Sequence, residues 1–430
     1  MNISIVKAGI VLLLIQAMKG RNKFFMIVIL GLLSAIGPFS IDMYLPAFPA
    51  IAADLHTTVA HVALSLSSFF IGISAGQLLY GPLLDRYGRK KPLYIGLSVY
   101  LLASIGCAFT TSVDALIALR LVQALGGCAG MVAARAMVRD IFPVEENAKI
   151  FSLLMLVIGV SPIIAPTLGG YVTAAFGWHY IFIILTLMSA LILTAVHFAL
   201  PESRKPDLTI SLLPAPIIKS FIAVFKEPQF YTYAFTGAIS AAGLYAYISG
   251  SPHVFMELYK VTEQQYGWIF AGIALGLITC SQLNSFLLRK YKSEQIIRVA
   301  LFCQTLTGIA LVAGTAFHFL GLYSTIFFIL LFLSCQGFVF PNSSALSMAP
   351  FSRNAGTASA LMGAIQLAVG ALTSGIVSVL TNGTALPMAA VMALCALLSF
   401  CILLAGRNVI RYNTTLLEVQ EESAEMISTS

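Results

Sequence analysis

Long apolar stretches alternate with short polar ones along almost the whole chain. An α-helix needs ~20 apolar residues to cross the hydrocarbon core of a bilayer, and twelve stretches have about that length. We predict that they form transmembrane helices over residues 24–46, 59–82, 92–110, 113–138, 147–174, 178–200, 229–255, 264–288, 295–317, 319–346, 354–379 and 384–406. The hydrophobic pattern therefore predicts an all-α membrane protein.

The basic residues lie almost entirely on one side of this predicted membrane. Of the 24 Lys and Arg residues, 22 fall before the first span, after the last, or in and beside alternate loops. The exceptions are Lys260, in a loop on the other side, and Arg120, inside a span. Short loops rich in Lys and Arg remain in the cytoplasm. We therefore expect both termini in the cytoplasm and a location in the bacterial inner membrane.

Composition excludes an ordinary soluble protein. Hydrophobic residues make up 59% of the 430 residues and charged residues 10%, whereas soluble domains have about 45–50% and about 25%. The net charge of +7 does not indicate nucleic acid, because the basic residues are spread over separate short loops. The seven cysteines lie in apolar spans without C-x-x-C spacing, so we interpret them as core residues.

The longest polar stretch, residues 201–228, divides the spans six and six. We predict a first half over 24–200, a cytoplasmic linker over 201–228 with a short amphipathic helix in 210–225, a second half over 229–406 and a cytoplasmic tail over 407–430. Residues 1–23 form a leader whose apolar run is too short to span. A signal peptide, an interfacial helix, a later start of translation and a segment without a structural role all remain open for it.

A charged segment, residues 81–91, connects the second and third spans. Its pattern G-x-x-x-D-R-x-G-R-K resembles the signature loop of the major facilitator superfamily, and it stands at the position that the loop has in that family. A degenerate echo follows the eighth span at residues 284–292. The resemblance implies two pseudo-symmetric six-helix halves with a substrate site between them.

The same resemblance implies a conformational latch in this segment. Asp85 would interact with the dipole at the start of the eleventh span, residues 353–356, in the outward-open state, and Arg89 would pair with Asp140. The other expected latch residues are Gly81, Arg86 and Gly88, with the two glycines supplying the turn. The alternative is that these charges only fix the topology.

Two charged residues lie inside predicted spans, where burial of charge is expensive. Asp42 lies roughly 6 Å from the outer end of the first span and Arg120 roughly 10 Å from the outer start of the fourth, at 1.5 Å per residue. Because their depths are similar, we expect a direct or near pairing and a role in proton coupling. A fixed ion pair, or an Asp42 that only caps a broken helix, remains open.

Two further motifs resemble those of drug exporters in this superfamily. Arg120 and Gln123 match the fourth-span motif R-x-x-Q-G, with Ala124 in place of the glycine. The fifth span is similar to the antiporter motif G-x-x-x-G-P-x-x-G-G: Pro166, Gly169 and Gly170 match it, and Ser161 and Ala165 replace its first two glycines. We assign Pro162, Pro166, Gly169 and Gly170 to this motif. The strings at 40–47 and 178–182 resemble the Bcr/CflA branch of drug:proton antiporters.

The resemblance implies a central cavity lined by spans 1, 4, 7 and 10. The candidate substrate-binding residues are Phe39, Met43, Tyr44, Gln123, Tyr245, Gln336, Asn342 and Gln366. Aromatic and methionine side chains in this set suit varied apolar ligands, although each alone is as well explained by packing.

These features predict a proton-coupled multidrug exporter that works by alternating access. The expected partners are small drug-like substrates, protons and the lipid bilayer, with no nucleic acid and a monomeric state. The sequence has no nucleotide-binding loop and no metal-ligand cluster, so we expect no enzyme activity and no cofactor or metal, with the proton gradient as the energy source. The alternatives are an exporter of a metabolite such as an amino acid, a membrane sensor without transport and, last, a channel.

Overall fold

The computed structural model describes the backbone of residues 3–209, 214–351 and 355–429. Side chains are described for residues 23–143, 146, 147, 150–209, 215, 218–351 and 356–410. Within these ranges the chain is helical and contains no strand. The helices are α1 (Ile3–Asp42), α2 (Phe48–Asp54), α3 (Val59–Tyr87), α4 (Lys90–Phe109), α5 (Val113–Ile141), α6 (Val144–Phe176), α7 (His179–Ala199), α8 (Pro214–Phe225), α9 (Pro228–Pro252), α10 (Glu263–Leu287), α11 (Ser293–Ala316), α12 (Leu322–Met348), α13 (Ala355–Leu380) and α14 (Leu386–Thr429).

Every predicted span corresponds to one of these helices. In the described part of the chain, eleven helical stretches are long and apolar enough to cross a membrane. The predicted seventh span, α9, is not among them, because it is rich in Ser, Thr, Tyr and Gly. Most of its residues are buried, and it packs against α12, α13 and α14. A helix that is covered by other helices meets little lipid, so it does not need the hydropathy of a lipid-facing span.

Several helices extend beyond the predicted spans. Most of the leader joins the first span in one continuous helix, because α1 begins at Ile3. The tail likewise continues α14 to Thr429. In the linker, α8 begins at Pro214, while residues 210–213 of the predicted amphipathic helix lie outside the described residues.

The first span breaks before it reaches its outer end. Helix α1 contains Pro38 and stops at Asp42, and a 3-10 turn at Leu45–Ala47 leads into the short α2. Pro46 stands in the turn and Pro49 in α2, and neither can donate a backbone hydrogen bond to continue α1. The Phe39 carbonyl still accepts from the Met43 N–H over 3.2 Å, but the later carbonyl groups in the last turn of α1 lack helical partners.

The two ends of the bundle differ in charge and in packing. We call the end that holds the 81–91 segment and the linker the basic end, and the other the opposite end. At the opposite end the halves touch, because α6 packs on α10 and the 3-10 turn packs on α9 and α10. A Cβ at Gly170 would lie 2.4 Å from the Glu263 carbonyl oxygen, and one at Gly267 would lie 2.7 Å from the Thr167 Cα. We call this contact the α6–α10 seal.

At the basic end the halves diverge around a cavity of about 700 Å³. Side chains from both halves and from α8 line it, including Gln77, Asp85, Arg135, Phe221, Met348 and Thr357. The structure is therefore open at the basic end and closed at the opposite end.

Candidate functional site

Arg120 is fully buried inside the first half, where hydrogen bonds and aromatic rings surround it. Its Nη1 donates to the Gln123 Oε1 over 2.6 Å, and its Nη2 donates to the Ser40 carbonyl oxygen over 2.8 Å. Three rings cover the guanidinium, with centroids 4.1, 4.7 and 5.9 Å from its Cζ, and they belong to Phe69, Tyr44 and Phe182. Cation–π contacts of this kind offset part of the burial of charge.

The contact with Ser40 ties Arg120 to the break in α1. The Ser40 carbonyl belongs to the last turn of α1 and has no backbone donor among the described residues. A cation at a helix C-terminus also interacts favourably with the helix dipole. A chain of hydrogen bonds continues from Gln123 to the Ser104 Oγ over 2.7 Å. Arg120 therefore holds the broken end of α1 against α4 and α5.

The predicted pairing of Asp42 with Arg120 is not made in this structure. The described residues contain no ion pair or hydrogen bond of the Asp42 side chain, although it is only 5% exposed. The reason is the direction of the side chains, since residues 40 and 42 point about 200° apart around a helix. The Ser40 side chain faces α4, where its hydroxyl is bonded to that of Tyr100 over 2.6 Å, so the Asp42 side chain points away from α4.

Asp42 faces the second half instead. It lies three residues before the start of the 3-10 turn that packs on α9 and α10. The hydroxyl groups of three second-half tyrosines are close enough to interact electrostatically with its carboxylate, namely Tyr245, Tyr247 and Tyr266. The prediction named only Tyr245. Tyr247 and Tyr266 were missed because a tyrosine in a mixed, buried helix has no sequence signal of its own.

The antiporter motif of α6 forms part of the seal close to Asp42. A Cβ at Gly169 would lie 2.0 Å from the Met43 carbonyl oxygen, and Gly170 meets α10. Pro162 and Pro166 both lie within the helix, and the Pro166 carbonyl oxygen would lie 3.0 Å from a Cβ at Gly267. The motif therefore lets the backbones of α6, α10 and the segment after α1 approach one another where the first half meets the second.

The 81–91 segment is mostly helical, because α3 continues to Tyr87 and α4 begins at Lys90. Gly81 was expected in a turn but lies within α3, where a Cβ would have open space for at least 4 Å around it. Gly88 alone has the left-handed φ of 81° that the turn requires. Arg86 lies in the last turn of α3, with its Cζ 5.7 Å from the Tyr87 ring centroid.

Arg89 forms the pair with Asp140 that the resemblance implied. Its Nε donates to Asp140 over 2.7 Å, and its Nη1 donates to Asp85 over 2.8 Å. Burial lowers the pKa of Arg89, but hydrogen bonds and charge attraction from the two carboxylates outweigh it and the net pKa is raised. Arg89 therefore connects the ends of α3 and α5.

Asp85 is bound by two arginines in this conformation, while its expected contact in the outward-open state stays a prediction. Besides Arg89, its Oδ1 accepts from Arg204 Nη1 over 3.0 Å. The expected contact lies at residues 353–356, of which 353 and 354 are outside the described residues. Gly356 lines the same basic-end cavity as Asp85. In this conformation Asp85 is therefore bound by the linker.

The start of the linker is fastened to the 81–91 segment at several points, and we call residues 201–207 the linker strap. The Glu202 carboxylate accepts from the backbone N–H groups of Arg89 and Lys90 over 2.7 and 3.0 Å. These are N–H groups at the start of α4, where a carboxylate is favoured. The Ser203 hydroxyl donates to Asp140 over 3.0 Å. The strap therefore binds to the basic ends of α3, α4 and α5 within the first half.

None of the eight predicted substrate residues lines the basic-end cavity in this conformation. Asn342 donates to the Asn284 side chain over 2.7 Å, and Gln336 accepts from Ser240 within the second half. Met43, Tyr44 and Gln123 are fully buried. Phe39, Tyr245 and Gln366 are half-buried, and the Tyr245 ring lies 4.8 Å from that of Phe70 in α3. Their contact with substrate stays a prediction.

The described residues contain no group of His, Cys, Asp or Glu that could hold a metal ion. All seven cysteines are free.

Comparison with known proteins agrees with this geometry. The sequence profile of the Major Facilitator Superfamily matches residues 30–374. A bicyclomycin resistance protein homolog from Haemophilus influenzae is 34% identical over 379 residues, which cover 88% of this chain and 95% of that protein. A chloramphenicol resistance protein from Pseudomonas aeruginosa is 30% identical and covers 83% of this chain and 84% of its own length.

Solved structures show the same fold at low sequence identity. A bacterial homolog of the human lysosomal transporter Spinster, in an inward-facing and unoccupied conformation, has a TM-score of 0.68 at 14% identity and covers 90% of this chain and 95% of its own. A D-xylose–proton symporter has a TM-score of 0.66 at 13% identity, with 88% and 97% covered. The sequence profile, the relatives and the twelve-span fold in two halves agree, and the chain belongs to the Major Facilitator Superfamily.

Proposed function

We propose that this protein exports small amphipathic drugs across the bacterial inner membrane in exchange for protons. The observation that carries the proposal is Asp42, a buried acid without a cation partner among the described residues, at the contact between the halves. A charged carboxylate in such a place is costly unless it is hydrated or protonated. A carboxyl group of this kind can bind a proton in one conformation of the transporter and release it in another. Proton coupling requires this change of protonation.

The relatives support export of drugs over uptake of nutrients. The names of two of them refer to resistance to bicyclomycin and to chloramphenicol, and others are called multidrug resistance protein MdtL. The α6 motif that forms the seal is the one that resembles exporters. Export of a metabolite such as an amino acid remains the second candidate and is covered by the same assay with a wider panel of compounds.

The basic end faces the cytoplasm in this proposal. Loops rich in Lys and Arg remain on that side, and the 81–91 segment and the linker strap both belong to it. The structure is then inward-open, with a cavity of about 700 Å³ that admits a drug-sized molecule from the cytoplasm.

Transport requires that the seal opens and the cavity closes, and Asp85 is the residue we expect to exchange partners. Here it is bound by Arg204 from the linker strap. When the halves close at the cytoplasmic side, the start of α13 approaches it across the cavity that both line. Asp85 then leaves Arg204 and interacts with the N-terminal dipole of α13. Two alternative partners for one carboxylate give two stable states.

The experiment uses an efflux-deficient bacterial host that expresses the protein, its Asp42→Asn variant or no transporter, at matched expression. Chloramphenicol is a suitable substrate because it carries no charge and is the drug named for one relative. We expect the wild type to lower chloramphenicol accumulation, and a protonophore to abolish the effect. The Asp42→Asn protein should still bind the drug, but cells that express it should accumulate chloramphenicol like the empty host. If the wild type exports none of a broad panel of drugs and amino acids, the proposal is wrong.

A further inference from the structure

We propose that the basic-end cavity selects its substrates by charge: it binds anionic and uncharged amphipathic molecules through Arg135, and it rejects lipophilic cations. The inference rests on the proposed function and names the chemical class of substrate that the cavity takes. It depends on two arginines that the expected conformational latch does not use.

Arg135 is a charged residue inside a membrane-spanning helix, and it has no ion pair in the described part of the chain. It lies six residues before the end of α5 at Ile141, which is roughly 9 Å along the helix axis. Its Nε donates to the Met131 carbonyl oxygen of the same helix over 3.3 Å. The side chain is half-buried and lines the cavity. A charge at this depth is costly without water or a partner, so the guanidinium favours an acceptor group that enters the cavity.

Arg139 adds a second positive charge to the same surface. It follows Arg135 by one helical turn and lines the cavity from the same side of α5. Its side chain is exposed, and the ion pairs among the described residues do not include it. The two arginines therefore form a row that leads from the basic end into the cavity.

The other two charged residues in the described wall of the cavity are bound to each other. Asp85 accepts from Arg89 over 2.8 Å. Asp85 is also bound by Arg204 of the linker strap, and Arg89 is also bound by Asp140.

The second half and the linker helix do not offset the charge of α5. The described side chains that α8, α12 and α13 contribute to the wall carry no charge. In the described wall there are therefore three arginines and one aspartate, with a net charge of +2. The charges that remain without an opposite partner are both positive.

The rest of the wall suits the apolar part of an amphipathic molecule. Its hydrophobic side chains include Leu84, Val132, Phe151, Phe221 and Met348. Aromatic and methionine side chains repack around ligands of different shape, and a cavity of about 700 Å³ has the size of a small-molecule site. Shape and apolar contact thus leave the range of drugs broad, while charge restricts it.

The consequence is a preference that depends on the sign of the ligand charge. A carboxylate, nitro or carbonyl oxygen can accept a hydrogen bond from the terminal nitrogens of Arg135. A cation at the same place is only repelled. Even in water, contact with one unit charge changes an affinity by about fivefold. The exchange of an anionic for a cationic group on one drug should therefore weaken its binding by more than tenfold.

The test compares three compounds with one scaffold on the purified protein in nanodiscs. They are chloramphenicol, its hemisuccinate ester, which adds a carboxylate, and its 4-trimethylammonio-butyrate ester, which adds a fixed positive charge at the same hydroxyl. Competition with radiolabelled chloramphenicol gives the affinity of each. We expect the anionic ester to bind at least tenfold more tightly than the cationic ester. Equal affinities of the two esters for the wild type would overturn the proposal.

Variants of Arg135 show whether this residue is responsible. Arg135→Gln should reduce the ratio of the two affinities by about fivefold, whereas Arg135→Lys keeps the charge and should retain most of it. Arg139→Gln should change the ratio in the same direction as Arg135→Gln. The matched control is Arg289→Gln, because Arg289 is exposed at the basic end of the second half and is not part of the described wall. A ratio that is unchanged in Arg135→Gln, or reduced equally in Arg289→Gln, would contradict the assignment.

Thiol reagents measure the charge of the cavity without a drug. Ser359→Cys places a thiol in the wall on α13, with the native cysteines replaced. Its labelling rates with an anionic and a cationic methanethiosulfonate are compared with those of a free thiol in solution. We expect a several-fold preference for the anionic reagent, reduced by Arg135→Gln. A wild type that binds none of the three compounds would count against the proposed function, whereas the lack of a preference for the anionic reagent would reject the charge selection itself.

Discussion

Arg120 shows how a charge can be fully buried without an acidic partner among the described residues. Its two hydrogen bonds and three ring contacts replace water, and the carbonyl it binds belongs to a broken helix that needs a donor. Removing one partner of a buried hydrogen bond to a charged group costs about 1.5–3 kcal/mol. Arg120 therefore stabilises the fold at the point where α1 ends, next to Asp42.

Replacing Arg120 with Lys tests this role. The ammonium keeps the charge but lacks the planar fork that reaches Gln123 and Ser40 together. We expect a lower melting temperature and reduced transport for Arg120→Lys. Arg135→Lys is the control, because Arg135 lies on the same helix, lines the cavity and donates to the Met131 carbonyl oxygen of its own helix. Equal melting temperatures for the two variants would show that the planar guanidinium of Arg120 is not needed for the stability of the fold.

The sequence could predict which residues are charged inside spans but not whether they meet. The depth of a residue in the membrane can be counted along its span, and by this count Asp42 and Arg120 lie at similar depths. Rotation about the helix decides contact, and it depends on where α1 breaks and which carbonyl remains unpaired. Arg89 and Asp140 were paired from resemblance to a known loop, which already contains that geometry.

Among the helices, the α6–α10 seal depends on glycines that carry no side chain between two backbones. A Cβ at Gly170 would meet a carbonyl oxygen at 2.4 Å, which cannot move as a side chain does. Close packing of this kind is sensitive to a single methyl group.

Gly170→Ala should therefore weaken the seal and favour the state that is open at the opposite end. The control is Gly159→Ala on the same helix, where nothing lies within 4 Å of a Cβ. The measurement is the labelling rate of Met43→Cys by an impermeant thiol reagent in whole cells, with the native cysteines replaced. We expect labelling several-fold faster in Gly170→Ala than in Gly159→Ala. Equal rates would mean that the seal tolerates the methyl group.

The linker strap is a second element whose role can be separated from its packing. Arg204 reaches Asp85 from the linker, while the next residue, Lys205, is exposed and has no ion pair or hydrogen bond in the described part of the chain. An exposed ion pair is worth about 0.2–1 kcal/mol, which is enough to bias a balanced conformational equilibrium.

Arg204→Gln should shift the population toward the state closed at the basic end, by about twofold to fivefold. Spin labels at positions 91 and 291, on the basic ends of the two halves, report this as a shorter distance. Lys205→Gln should leave the distance distribution unchanged. If the two variants behave alike, the strap only anchors the linker and does not compete for Asp85.

Helix ends were harder to predict than helices. Residues 81–87 were expected in a loop, but they continue α3 to Tyr87, and Asp85 pairs with Arg89 and Arg204 from within the helix. The polar α9 was predicted correctly as a helix, and its burial among other helices explains its composition. Residue pattern thus predicts that a helix exists better than where it stops.

For the molecule as a whole, the apolar spans and the one-sided charge predicted twelve membrane helices, while the polar stretch 201–228 and the resemblance of the 81–91 segment predicted their arrangement in two halves. They could not predict the conformation, because the pattern of apolar spans and basic loops is the same whichever end of the bundle is closed. The structure adds the cavity at the basic end and places Asp42 at the closed contact. The proposed function depends above all on Asp42 as the carrier of the coupling proton.

Proteoliposomes that contain a pH-sensitive dye measure this role of Asp42. A chloramphenicol gradient imposed across the membrane should drive proton movement in the opposite direction with the wild type. With Asp42→Asn the drug should still exchange between equal pools on the two sides, because binding and alternation do not need the charge, but no proton should move. Drug-driven proton movement by Asp42→Asn at the wild-type rate would show that the coupling proton travels elsewhere.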